Sequence, residues 1–339
     1  SAALLCWHWL NKYAMDESRV RYPELVVQGD SVRLSNMNNS IALPVGGSAA
    51  ELREAVREAL CVVPGLTTLK VVDPTLASVQ ALEWALRRVE RDGTVIALDN
   101  VTFNQCTHIG SLPALVASLG LPVSLFLPFP AENMHHFSSS QCLQISGLGP
   151  VPEQLGFLQA LQDLTLTDVT SIGSSLSNLT QLTSLQMAGC GEFPVVIGQL
   201  TSLKKLSFSG NAPAFNGAVP DAIGLLTNLR SLRLSQVSAQ LPDSIGNLQQ
   251  LTMLQLLSMG MAELPEGMSR LSCLEVLHMR SCIHVRLLPP WLSGYRMLHE
   301  LSVAFSAIDV LPAGVLLLPQ LECAFFFGCY MHFVEDDTH

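Results

Sequence analysis

The chain has 339 residues, 49% of them apolar and 14% charged, with a formal net charge of −10. That length holds one long repeat array or two ordinary domains. Between residues 92 and 203 there is no Lys or Arg, against seven acidic residues. A nucleic-acid surface needs clustered cations to displace the counterions of phosphate, so DNA, RNA and anionic lipid are excluded as main partners.

In chain order, residues 1–20 carry Trp7, His8, Trp9 and Tyr13 and read as a short helix ending near Glu17. Residues 24–28 and 32–35 read as extended, and 36–47 as loop. Ser48-x-x-Glu51 is a capping box ahead of an amphipathic helix. From Pro64 a loose repeat begins. Leu66-x-x-Leu69-Lys70-Val71 predicts a strand, and 78–91 a helix with Leu82, Leu86 and Val89 on one face. Residues 94–98 predict a strand, 111–119 a helix and 123–127 a strand. With Leu69, Ile96 and Leu125 as anchors the spacing is 27 to 29 residues, the length expected when the chain returns through a true helix. Residues 131–141 (AENMHHFSSSQ) are the expected seam. An alternative division is a separate α/β domain ending near Pro130.

A tighter pattern follows. Aligned on the first leucine of each strand, the anchors are Leu143, Leu164, Leu185, Leu206, Leu232, Leu254, Leu277 and Leu301, with Ala324 as a degenerate ninth. The gaps of 21 to 26 residues are a repeat period, not a helix or strand period. The intervening segments repeat as well: Phe193-Pro194-x-x-Ile197-Gly198, Val219-Pro220-x-x-Ile223-Gly224, Leu264-Pro265-x-x-Met268 and Leu311-Pro312-x-x-Val315. No such unit buries its own leucines, so neighbours must stack.

Eight registered copies resemble leucine-rich-repeat proteins of the LPxxIGxLxxLxxLxL type, found in plant intracellular repeat proteins, plant-type immune receptors and bacterial effectors. Phe215-Asn216-Gly217-Ala218-Val219-Pro220 is similar to the LxGxIP turn of plant receptor repeats. The resemblance implies an α/β fold: a right-handed leucine-rich-repeat solenoid (horseshoe) with a parallel concave sheet and an atypical N-terminal helical or longer-repeat region. The expected division is 1–65 as an N-terminal helical cap, 66–141 as irregular longer α/β repeats, 142–327 as regular repeats and 328–339 as a tail. The most apolar late window, 310–334, contains Pro312, Pro319, Gln320 and Glu322 with leucines on the repeat register, so no membrane insertion is expected.

The nine cysteines form no CxxC pair. Cys190, Cys282 and Cys329 stand five residues after their anchors, where Asn211 stands in its own repeat and where such repeats place Asn or Cys in a tight turn. They read as structural thiols of a reducing, intracellular compartment, host cytoplasm if the protein is an effector. Three N-x-S/T triplets, at Asn38, Asn100 and Asn178, are the counter-indication. The chain starts at Ser1, and its last strand region, Ala324-Phe325-Phe326-Phe327, is apolar where an end cap should be polar. This predicts a further domain or self-association at that end.

Chemical motifs are absent: no P-loop, no GxGxxG after a strand and no GxSxG. His135-His136 lacks a third ligand at metal spacing, and Cys329-x-x-His332 lies in a tail. No cofactor, metal or catalysis is expected. In L-x-x-L-x-L the leucines point inward, and the residues between them form columns on the sheet. The central column reads Gln144, Thr165, Gln186, Ser207, Arg233, Gln255, His278, Ser302 and Phe325, flanked by Lys205, Met253, Leu257, Val276, Arg280, Glu300 and Phe327. The early face is small. The later one gathers Arg, Met and aromatics, the residues of binding hot spots. The predicted partner site is Arg233, Gln255, Leu257, His278, Arg280, Glu300, Phe325 and Phe327, and the predicted function is protein recognition on the concave face. Two alternatives stay open: the substrate-recognition half of a ubiquitin ligase or effector, suggested by four Lys against fourteen Arg, and the ligand-sensing portion of a plant-type immune receptor.

Overall fold

The computed structural model describes residues 24–334 except 30, 36–39, 44–48, 63–65, 67, 93–97, 99, 105–108, 110, 120, 127–130, 192, 211–217, 239, 309 and 330–331. The expected helix within 1–20 and half of the 215–220 turn therefore lie outside the described residues. Two compact units divide the chain: residues 1–148 with 157–161, and residues 149–156 with 162–339.

In the first unit β1 (Glu24–Gly29), β2 (Ser31–Ser35) and β3 (Ser40–Leu43) precede α1 (Ala49–Val62). Then come β4 (Thr68–Pro74), α2 (Leu76–Arg91), β5 (Asn100–Asn104), α3 (Leu112–Ser118), β6 (Val123–Phe126) and β7 (Cys142–Ser146). The sheet runs β7-β6-β5-β4-β1-β2-β3. β4 to β7 are parallel, β1 joins β4 in parallel, and β2 and β3 add antiparallel. Thr75 ends the extended chain and starts α2, its hydroxyl accepting from the Ser78 N–H at 3.2 Å. Val79, Leu82, Leu86 and Val89 then form the fully buried stripe.

Four expectations for this region need correction. The 36–47 stretch is not all loop, because Ser40–Leu43 pairs with β2 as a hairpin. The described part of 1–65 is three strands and one helix, not a helical cap. Residues 94–97 of the expected strand lie outside the described residues; the strand beside β4 is Asn100–Asn104, and Val101, not Ile96, pairs with Leu69. Val123, not Leu125, continues that column, giving spacings of 32, 22 and 20 residues to Leu143. Between β6 and β7, Ala131–Phe137 is a 3₁₀ turn whose Met134 and Phe137 are fully buried, Phe137 edge-on to Phe103 at 5.8 Å.

The second unit is regular. Its strands are β8 (Asp163–Thr167), β9 (Ser184–Cys190), β10 (Lys205–Gly210), β11 (Ser231–Ser235), β12 (Met253–Leu257), β13 (Val276–Arg280) and β14 (Glu300–Ala304). β15 (Val310–Pro312) leaves the main sheet and pairs with β17 (His332–Val334), while β16 (Cys323–Phe325) closes the β14 edge. Every anchor from Leu164 to Ala324 pairs with the next in parallel register.

Each return segment is one 3₁₀ turn, and the LPxxIG letters explain it. Pro194, Pro220, Pro242, Pro265 and Pro289 stand immediately before the turns with φ between −64° and −74°, the angle the ring imposes. The apolar residue three on (Ile197, Ile223, Ile245, Met268, Leu292) is wholly buried. The glycine after Ile245 lets two turns touch: a Cβ on Gly246 would lie 2.1 Å from the Gly267 carbonyl oxygen.

Two further devices recur. Four residues after its anchor the chain is left-handed, at Asp73, Asp168, Gly189, Gln236, Ser258, Ser281, Phe305 and Gly328. One residue later Cys190 and Cys282 are buried. Their thiols point at the carbonyl of the previous repeat, Leu166 at 3.9 Å and Leu256 at 3.5 Å, and at the carbonyl two residues back. Cys329 repeats the geometry on Val303 and Phe327 at 3.7 and 3.9 Å. Burial pushes the Cys190 thiol up to about 11, with the Asp168 carboxylate adding to the shift.

Candidate functional site

Register on β10 to β16 fixes which side chains share the solvent face. Ser207, Arg233, Gln255, His278, Ser302 and Phe325 follow one another across the strands. Glu300 pairs with Val276 in the column before it, and Arg280 with Leu257 in the column after. Strands about 4.8 Å apart thus align seven of the eight predicted residues, all but Phe327, which lies in the turn after β16.

The structure ties most of these into two groups. Gln255 donates through Nε2 to His278 Nδ1 at 3.2 Å, so His278 carries its proton on Nε2 and donates to Glu300 Oε1 at 2.9 Å. The imidazole is held from both sides in one orientation and one tautomer. In the second group the Arg280 guanidinium lies 5.4 Å over the Phe305 ring, and Phe305 meets Phe327 edge-on at 5.1 Å. Arg233, Gln255, Leu257, His278, Arg280 and Phe305 line one depression of about 390 Å³. Phe325 stands apart from both groups, opposite Ser302 on the last strand. Phe305, Phe325 and Phe327 are 45%, 54% and 69% exposed, an unusual concentration of open aromatic surface.

Phe305 is the residue that column reading misses. It sits at the left-handed position, φ 51°, where the other repeats of this unit place Gly, Asp, Gln or Ser. A bulky side chain is rare there and costs about 1–2 kcal/mol. Gly328, at φ 72°, lets the last turn close on it, since a Cβ would lie 2.9 Å from Phe305 Cδ1. The signal was present in sequence as the one aromatic at the fourth place after an anchor. Among the described residues no group of three or more His, Cys, Asp or Glu is gathered as metal ligands, and no helix is long and apolar enough to cross a membrane. The side chains of the site donate, accept, stack and carry charge, and they fit a surface for recognition.

A family described as "Leucine-rich repeat region" matches residues 211–313. TMV resistance protein N of Nicotiana glutinosa is 31% identical over 170 residues, 45% of this chain and 15% of that protein, so the chain spans a small part of this relative's length. Among solved structures, the internalin InlF of Listeria monocytogenes superposes with a TM-score of 0.51 at 15% identity, covering 89% of this chain and 87% of its own. A leucine-rich-repeat protein of Leptospira interrogans superposes at 0.50 with 18% identity, covering 84% and 70%. At these identities the two structures speak for the fold alone.

Proposed function

Taking as premise that the chain is a leucine-rich-repeat protein with a leucine-rich-repeat solenoid fold, we propose that the sheet face of β11 to β16 recognises a polypeptide partner and performs no chemistry. The observation that carries this reading is the pairing of a pre-oriented polar group, Gln255–His278–Glu300, with an open aromatic cluster, Arg280–Phe305–Phe327. Large rigid rings beside Arg bury much area at little entropic cost, and a fixed imidazole supplies register. The contact residues are Arg233, Gln255, Leu257, His278, Arg280, Glu300, Phe325 and Phe327, with Phe305 added. The compartment we propose is intracellular and reducing, supported by buried thiols that bond to carbonyls at Cys190 and Cys282.

The test compares two triple variants with wild type against a partner recovered by affinity capture and then purified. Arg233→Ala/His278→Ala/Arg280→Ala should weaken binding about thirtyfold or more, as loss of hot-spot residues does. Thr165→Ala/Gln186→Ala/Ser207→Ala should weaken it less, by under about tenfold. Equal losses by calorimetry, with both variants folded, would sink the localisation.

A further inference from the structure

A second depression, about 510 Å³, lies on the same face toward β9, and Ser184, Gln186, Lys205, Ser207, Ser231 and Arg233 are among the residues that line it. Its lining includes no carboxylate. Lys205 and Arg233 are both exposed, and among the described residues neither has an ion pair. They stand on adjacent strands, Lys205 two residues before Ser207, which pairs with Arg233. Strand spacing and rise put their backbones roughly 8 Å apart.

Two acids share these columns, and both are engaged. Glu300 accepts from His278, and Asp163, two strands from Lys205, has interactions of its own. In a chain of net charge −10, with no Lys or Arg from 92 to 203, two unpaired cations among neutral hydroxyl donors are a local reversal of sign. Two cations are too few to hold a nucleic-acid backbone, but they suit one or two carboxylates, which accept from guanidinium, ammonium and hydroxyl donors together.

We propose that Lys205 and Arg233 form a subsite for aspartate or glutamate side chains of an extended polypeptide whose apolar residues lie against Phe305 and Phe327. The inference rests on the recognition reading above and specifies the partner's chemistry. Arg233 is in register with Ser302 three strands away, about 14 Å, and Phe305 lies three residues past Ser302, about 10 Å further along, so the two are about 17 Å apart, while an extended chain advances about 3.3 Å per residue. The acidic residues therefore stand about five positions from the apolar ones.

The probes are fluorescent twelve-residue peptide pools, acetylated and amidated. One carries Asp or Glu about five positions from Phe or Leu, and a second replaces the acids by Asn and Gln. A third has the neutral sequence with a free C-terminal carboxylate. Wild-type protein should retain the acidic pool about tenfold over the neutral amidated pool, and added salt should reduce that preference. Lys205→Gln/Arg233→Gln should abolish it. Lys204→Gln/Arg230→Gln, which removes exposed cations outside the depression, should keep it. Equal retention of the acidic and neutral pools overturns the subsite but leaves the recognition reading standing if both pools lose binding in Phe305→Ala. Equal loss in the two cation variants overturns it as mere net charge. Preference for the free-carboxylate pool overturns it in favour of a chain terminus. Failure to retain any pool overturns both readings for linear peptides.

Discussion

The two units build parallel repeats by different means. In the first, the return segment between β4 and β5 is a 16-residue helix whose buried stripe carries the packing. In the second it is a five-residue 3₁₀ turn that buries one apolar side chain and leans its backbone on the next turn. The sheet faces opposite the leucine core differ too. Asn100 donates to Ser124 at 2.7 Å and Ser124 to Gln144 at 3.2 Å, a small neutral polar ladder. On β10 to β13 the corresponding face presents Lys205, Arg233 and Arg280 outward. A wide return tolerates variable spacing, as the 32, 22 and 20 residues show. A narrow one keeps the spacing to 21 to 26 residues and leaves the face free to vary.

The contrast breaks most severely where helix packing is removed. Leu82→Ala should cost about 2–5 kcal/mol in chemical denaturation, because Leu82 is fully buried in the helix stripe. A loss below about 1 kcal/mol would mean that the helix is not what holds the first unit. The second unit should instead be sensitive to a single methyl. A Cβ on Gly267 would lie 2.0 Å from the Asp243 carbonyl oxygen, whereas one on Gly294 would meet nothing within 4 Å. Gly267→Ala should cost about 1–3 kcal/mol, and Gly294→Ala should stay within about 0.5 kcal/mol. Similar melting shifts for the two would refute close backbone approach as the basis of the narrow return. The smallest effect is a pH slope. The Cys190 thiol ionises near 9 when unconstrained and near 11 when folded, raised by burial. The folded state then holds the proton longer, so this contribution to stability is complete below pH 9 and is lost as pH rises toward 11. Cys190→Ala should flatten the slope over that window.

The regular half was legible in sequence because leucine is used nowhere else at that spacing and each anchor has one place to go. The first unit was less so. Residues 94–98 attract the anchor because they are apolar, whereas the strand that pairs with β4, Asn-Val-Thr-Phe-Asn, turns Val101 and Phe103 inward and buries Thr102 on its other face beside Ser124 of β6. Around β6 both Val123 and Leu125 are buried, so alternation alone does not choose the anchor. The hairpin strand Ser40–Leu43 was masked by the asparagines before it. The site's columns were readable from the repeat. The Gln255–His278–Glu300 relay was not, because which neighbours bond depends on side-chain reach. Nor was the left-handed series: Asp168, Gln236, Ser258, Ser281 and Phe305 have no residue type in common.

That series also governs how the array grows. Gln236, Ser258, Ser281 and Phe305 each pass an N–H to the residue just before the next left-handed one: Leu257, Arg280, Ala304 and Phe327. At the other end of the strands, Arg230, Thr252 and Glu275 each receive two N–H groups from the following repeat. Each of these joints has the same plug and the same socket. Excising one whole period, residues 253–275, would join Thr252 to Val276 and seat β13 against β11 with the bonding pattern unchanged, placing His278 directly beside Arg233. Whole-period gain or loss is therefore an edit of ligand spacing in steps of about 4.8 Å. Copy number, as much as point substitution, is the variable by which such a surface is tuned.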